Sequence, residues 1–159
     1  MTQKILVVYY SYEGSTRLIA QTIAQTLDAD LLECKPIKDL KSKGFMKYVW
    51  GGRQVIFKKH PQLVLFATNP NDYDLIIIGT PVWAFNYAPA IRSFVSQANL
   101  ARKKIALFCC HEGAMGKTLG NLKKVLRSNT IVGGTDFLNV PKQKEENIEK
   151  AKQWATTLK

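Results

Sequence analysis

Lys4-Ile5-Leu6-Val7-Val8-Tyr9-Tyr10-Ser11-Tyr12-Glu13-Gly14-Ser15-Thr16 is the stretch that decides the architecture. From Lys4 to Tyr10 it is an unbroken run of β-branched, aliphatic and aromatic residues. Such a run, with no polar alternation, reads as a strand buried on both faces. From Ser15 to Asp28 the period changes, and Leu18, Ile19, Ile23 and Leu27 share one stripe of an amphipathic helix. A doubly buried strand followed at once by a helix predicts a sheet with helices over it.

The same unit recurs further along the chain. Leu31–Cys34 reads as a short second strand, and Asp74-Leu-Ile-Ile-Ile-Gly79 as the clearest buried one. Ala88–Ala98 is predicted helical, with Pro89 tolerated in its first turn. Lys104–Cys110 is the next strand, and Lys117–Arg127 the next helix, with Leu119, Leu122 and Leu126 on one face. Ile131–Val140 is the last strand, softened by Gly133-Gly134. Glu146–Leu158 is a helix whose inner face is Ile148, Ala151, Ala155 and Leu158. Lys35–Leu63 is less regular, broken by Pro36 and Gly51-Gly52, with one short helix predicted over 43–49. Five strand–helix alternations predict an α/β fold: a doubly wound, five-stranded parallel sheet with right-handed crossovers and helices on both faces.

Composition narrows the class. The chain has 159 residues, of which 46% are apolar. That suits one globular domain over 1–159 and excludes a disordered chain. Cys34, Cys109 and Cys110 are odd in number, two are adjacent, and no C-x-x-C occurs, so neither a disulfide framework nor a structural zinc site is expected. The start of the chain has no signal-peptide pattern, and no apolar run approaches the ~20 residues of a membrane span. A cytoplasmic location is expected. The formal net charge is +11, a surface that attracts anionic partners. Between Lys35 and Gln62 eight Lys and Arg residues are opposed only by Asp39. Phe45, Tyr48, Trp50 and Phe57 lie among them, a mixture that can bind single-stranded nucleic acid. It more often forms an amphipathic cover, so nucleic acid is not the expected partner.

Open α/β sheets bind ligands beyond the carboxyl ends of their strands, at the topological switch point. Three segments fall there. The first is Ser11-Tyr12-Glu13-Gly14-Ser15-Thr16, where hydroxyls, backbone N–H groups and a helix N-terminus can cradle a phosphate. The same residues also make an ordinary capped turn. The second is Thr80-Pro81-Val82-Trp83-Ala84-Phe85-Asn86, an apolar, aromatic loop. The third is Cys110-His111-Glu112-Gly113-Ala114-Met115-Gly116.

Ser11, Gly14 and Thr16, as S-x-x-G-x-T, resemble the phosphate loop of flavodoxins. The run from Gly79 to Trp83 resembles the first isoalloxazine loop of flavodoxin-like proteins that bind flavin mononucleotide (FMN). The resemblance implies strand order 2-1-3-4-5 and FMN as cofactor. It places the phosphate on residues 11–16, with Glu13 turned outward. It sets the ring against Thr80, Pro81, Val82, Trp83, Ala84 and Phe85, with Trp83 or Phe85 flanking it. Cys110, His111, Glu112 and Gly113 close the other side. The family's usual aromatic residue is missing from that third loop. His111 is the candidate of similar shape, placed near the pyrimidine edge, its alternative being a solvated loop histidine.

Two other motifs are excluded. His111–Thr118 approximates G-x-x-x-x-G-K-[ST] but lacks the first glycine and follows a late strand. Tyr9-Tyr10 stands where a phospho-accepting signalling domain would need carboxylates. The reaction stays open between three readings. One is a one-electron carrier between protein partners. Another is an NAD(P)H-dependent reductase acting on quinones or similar acceptors, with a second subunit able to complete its site. The third is a basic module without flavin. Carriers stabilise the one-electron state through a peptide flip, commonly beside a glycine. None occurs between Thr80 and Tyr87, so a flip there would strain the backbone by about 1–3 kcal/mol. Asn86 is the residue expected to tolerate it.

Overall fold

The computed structural model describes residues 2–38 and 60–159. The helix predicted over 43–49 and most of the basic, aromatic segment lie outside the described residues. The flanks of that segment are joined: Pro36 and Leu63 form a bridge, Ile37 N–H donates to Gln62 O, and Val64 N–H donates to Lys35 O.

The strands are β1 (Ile5–Tyr9), β2 (Asp30–Glu33), β3 (Leu75–Trp83), β4 (Asn86–Tyr87), β5 (Lys104–His111) and β6 (Thr130–Leu138). The helices are α1 (Ser15–Leu27), α2 (Pro89–Ala98), α3 (Thr118–Val125) and α4 (Lys144–Thr156). The parallel sheet runs β2-β1-β3-β5-β6, and β4 pairs antiparallel with the end of β3. Its five long strands follow the predicted 2-1-3-4-5 order. β4 is an addition that the sequence reading treats as loop.

The reason for this order is legible in burial. Every residue of β1 is buried, and Ile76, Ile77 and Ile78 of β3 are fully so. These strands must lie inside the sheet with helices on each face. Alternate residues feed two cores. Leu6, Val8, Ile76, Ile78, Ile105 and Leu107 pack with Ile91 and Phe94 of α2 and with Leu119 and Leu122 of α3. Val7, Tyr9, Ile77, Ala106 and Phe108 pack with Ile19 and Ile23 of α1 and with Ala151 and Ala155 of α4.

Two details depart from the helical periodicities. In α4 the buried polar position is Asn147, whose amide donates to Leu138 O and Gln143 O, each at 2.9 Å, while Ile148 is only half-buried. The donated bonds satisfy an amide that burial would otherwise penalise. Helix α3 ends at Val125, two residues before the predicted limit, and Leu126 is its cap residue.

Candidate functional site

All the parallel strands end at one edge, and a cleft of about 360 Å³ opens there. That is a usual size for a small-ligand pocket. The three loops singled out by sequence come together around it. The residues lining it include Ser11, Tyr12, Glu13, Ser15 and Thr16 after β1, Pro81 to Phe85 at the end of β3, and Cys110 to Ala114 at the end of β5. Val140 and Pro141, after β6, complete the wall.

Two of the expected residues stand behind the wall. Gly14 is the residue before α1, with φ 110°, and its N–H donates to Ser11 Oγ at 3.1 Å. That conformation suits glycine, and the bond shapes the loop. Thr80 is fully buried: its hydroxyl donates to Pro81 O (2.8 Å) and accepts from Ala88 N–H (3.0 Å). It fastens the start of α2 to β3 beneath the cleft.

The phosphate-loop end has the electrostatics of an anion site. The first N–H groups of a helix have no partner within it. Helix α1 has no side-chain cap and no acidic residue in its first turn, whereas α4 carries Glu145 and Glu146 there. The positive end of α1 therefore faces the cleft beside the hydroxyls of Ser11 and Ser15. Thr16 reaches instead to the Cys110 thiol, tying this loop to β5. Glu13 is exposed and borders the cleft. Arg17 donates to Glu33 on β2.

The other end is aromatic. Trp83 is 6% exposed, held edge-on by Tyr10 (centroids 5.5 Å apart) and Tyr12 (6.0 Å). Such T-shaped contacts fix an indole firmly. Phe85 projects, 66% exposed, from the hairpin that β3 and β4 make. The turn residues Ala84 and Phe85 both have positive φ, 48° and 60°. The residue expected to tolerate a positive φ in this loop, Asn86, is not among those that adopt it. Asn86 sits in β4, where its side-chain oxygen accepts from Tyr87 N–H and from Asn121 Nδ2. A two-residue hairpin turn of the type that matches strand twist with φ > 0 at both central positions falls on Ala84 and Phe85, because the pairing of Val82 with Tyr87 and of Trp83 with Asn86 leaves only these two residues for it. The backbone of Gly116 packs directly on Phe85, so closely that a Cβ there would come within 2.5 Å of the Phe85 Cβ.

His111 is neither solvated nor in a loop. It ends β5 with its side chain 8% exposed, and Nε2 lies 2.7 Å from Asp136 Oδ2 on β6. The His111 bond, outweighing a smaller effect of burial, holds the Asp136 carboxyl below the usual aspartate range, and Lys150 nearby acts in the same direction. His111 Nδ1 is buried without a hydrogen-bond partner among the described residues. Asp136 is missed by sequence reading, because 25 residues separate it from His111. Only the β5–β6 register, which sets Cys109 opposite Asp136, brings the two together. Val140 and Pro141 carry a usable signal, since the end of the last strand reaches the same sheet edge.

The cysteines are free and buried. Burial pushes the Cys34 and Cys109 thiols up to about 12, and that of Cys110 higher still. Thr118, from the excluded nucleotide motif, is buried and donates to Met115 O. Among the described residues no cluster of His, Cys, Asp and Glu could hold a metal ion, and no helix is long and apolar enough to cross a membrane.

Residues 4–157 match the family model described as flavodoxin. The chain belongs to the flavodoxin family. Among solved structures it is similar to a Lactobacillus acidophilus flavoprotein in complex with FMN, at 25% identity and TM-score 0.73, covering 90% of this chain and 97% of that one. A candidate flavoprotein of Bacteroides uniformis superposes with TM-score 0.84 at 21% identity, over 98% and 99% of the two chains. Oxidised flavodoxin 2 of Bacillus cereus gives TM-score 0.64 at 22% identity, over 96% and 95%. No curated protein matches the chain.

Proposed function

We propose that the chain is one FMN-binding domain that works as an electron-transferring flavoprotein. The observation that carries this reading is a single cleft with two complementary ends. One is an uncapped, acid-free helix N-terminus flanked by Ser11 and Ser15, suited to a phosphate dianion. The other is an apolar, aromatic slot walled by Tyr12, Val82, Trp83 and Phe85, suited to a flat ring. Family membership and the FMN-bound relative support the same reading. Gly113 and Ala114 leave the opposite side of the slot without an aromatic ring, and Pro141 adds to its rim.

In this reading FMN supplies the redox chemistry when bound, and the protein binds, orients and electrostatically tunes it. Backbone groups of Val82 to Ala84, which line the cleft, would hold the polar edge of the ring. The net charge of +11 favours a redox partner or acceptor with an acidic surface. The turn at Ala84 and Phe85 favours a second reading, two-electron reduction of a small acceptor by NAD(P)H. That turn is already committed to positive φ without a glycine, so a peptide flip on one-electron reduction is costly there.

One experiment tests both. Apoprotein is titrated with FMN by fluorescence quenching, then photoreduced without oxygen while the visible spectrum is followed. Saturable quenching is expected, and its absence overturns the flavin reading. A blue species between yellow and colourless supports the carrier. Direct bleaching supports the reductase and makes NAD(P)H oxidation with quinones the next assay.

A further inference from the structure

At the end of the sheet opposite the cleft, the chain gathers cations. Arg102 precedes β5 and Lys104 opens it, Lys123 and Lys124 lie in the last turn of α3, and Arg127 follows that helix. Hydrogen bonds fasten the two carrying loops together. Arg102 N–H donates to Ser128 O and Thr130 N–H to Lys103 O, each at 2.8 Å, and the Asn129 amide donates to Leu100 O and Leu126 O. All five residues are exposed, and none has an ion pair among the described residues. Lys103 is tied instead to the loop before β3, its Nζ donating to Asn71 O and Tyr73 O. Between Leu100 and Ile131 the one carboxylate is Glu112, which lines the cleft at the other end of β5. Arg102 has φ 58°, a conformation that asparagine or glycine holds at less cost. A solvated loop gains nothing from an arginine there, whereas a cationic surface does.

We propose that this surface docks the protein on a membrane rich in anionic phospholipid. Clusters of about four to eight Lys and Arg residues at a bilayer surface are drawn to such headgroups. Other anionic partners fit less well. Residues 99–104 and 123–130 contain no aromatic ring on which bases could stack. They also lack an aromatic anchor of the kind that concentrates energy in protein interfaces. Val125, 51% exposed beside Lys124, is the one exposed large hydrophobic residue in these two stretches, and it would enter the headgroup layer. The eight residues of β5 span roughly 26 Å. A protein docked this way therefore holds its cleft away from the lipid and open to soluble partners. The inference is independent of what the cleft binds.

The test is cosedimentation of the full chain with vesicles of phosphatidylcholine alone and of phosphatidylcholine mixed with an equal part of phosphatidylglycerol, at low and high salt. Wild type is expected to bind the anionic vesicles at low salt, to leave them at high salt, and to ignore the neutral ones. Arg102→Gln, Lys124→Gln and Arg127→Gln should each weaken binding roughly fivefold, and the triple variant should abolish it. Lys142→Gln, Lys144→Gln and Lys152→Gln together remove the same charge before and along α4, and should weaken binding by less than about threefold. Arg102→Asn separates docking from folding. Its urea midpoint is expected to match or exceed that of wild type, while its vesicle binding falls as in Arg102→Gln. Equal losses in the two triple variants, binding to neither kind of vesicle, or capture of a duplex DNA probe without binding to anionic vesicles overturns the inference.

Discussion

Gly79→Ala is predicted to be among the most damaging single-methyl additions to this protein. Gly79 lies on β3 directly opposite Phe108 of β5. A Cβ built on Gly79 would stand 2.1 Å from Phe108 Cζ and within 2.6 Å of both adjacent ring carbons. Carbon atoms rest about 3.5–4.0 Å apart, so the ring must retreat by at least about 1.4 Å. It has little room. Phe108 is fully buried, with the Phe137 ring at 5.9 Å and the Trp154 ring at 6.3 Å, both edge-on. Overpacking of this kind costs about 1–3 kcal/mol, and the boxed ring places Gly79→Ala at the upper end. For a domain of this size that is a fall in Tm of roughly 4–12 °C. Urea unfolding of the apoprotein, monitored by tryptophan fluorescence, measures it. Phe108→Leu shortens the obstructing ring, so the double variant should be more stable than the two single losses added together, by about 1–2 kcal/mol of coupling. A loss under about 0.5 kcal/mol for Gly79→Ala, or strict additivity in the double variant, would refute the packing argument.

Two further outcomes are expected. Ala84→Gly should stabilise the apoprotein by up to about 1 kcal/mol, because the φ of 48° costs an alanine more than glycine loses in chain entropy; a destabilised variant in the same urea assay contradicts this. The Asp136 carboxyl is held low by His111, so its contribution to stability is complete above the ordinary aspartate pKa and lost as pH falls through the lower folded-state value. Stability profiles of wild type and Asp136→Asn should therefore separate above about pH 4 and converge below it, and parallel profiles across that range would exclude the pair as a source of acid sensitivity.

The sheet was legible because its strands are apolar on both faces, and runs such as Ile76-Ile77-Ile78 leave no other placement. The three binding loops were legible because hydroxyls, glycine and aromatics follow those strands at the edge where ligands collect. Continuation of β3 through Pro81 to Trp83 was not. Proline reads as a strand breaker, yet Pro81 stands near the end of the strand, where pairing passes from the parallel sheet to the β4 hairpin. Strain at Ala84 and Phe85 was hidden for a related reason, since turn register outranks residue preference when both flanking strands are fixed. The buried face of α4 was half legible. Ala151 and Ala155 fit the apolar period, whereas Asn147 is a polar residue whose burial is matched by bonds to Leu138 O and Gln143 O that no periodicity reveals. Asp136 could not be found from spacing, because its pairing with His111 exists only across neighbouring strands.

The buried, unpaired thiols have a practical bearing on any redox measurement. A disulfide would store two electrons and confuse a reductive titration, but Cys34, Cys109 and Cys110 are all free. None is more than 5% exposed, and burial keeps each in the unreactive thiol form. Air is therefore slow to oxidise them and cannot readily link one copy to another. With no disulfide to reduce, the cysteines take up no electrons in a reductive titration, which then counts what the cleft holds.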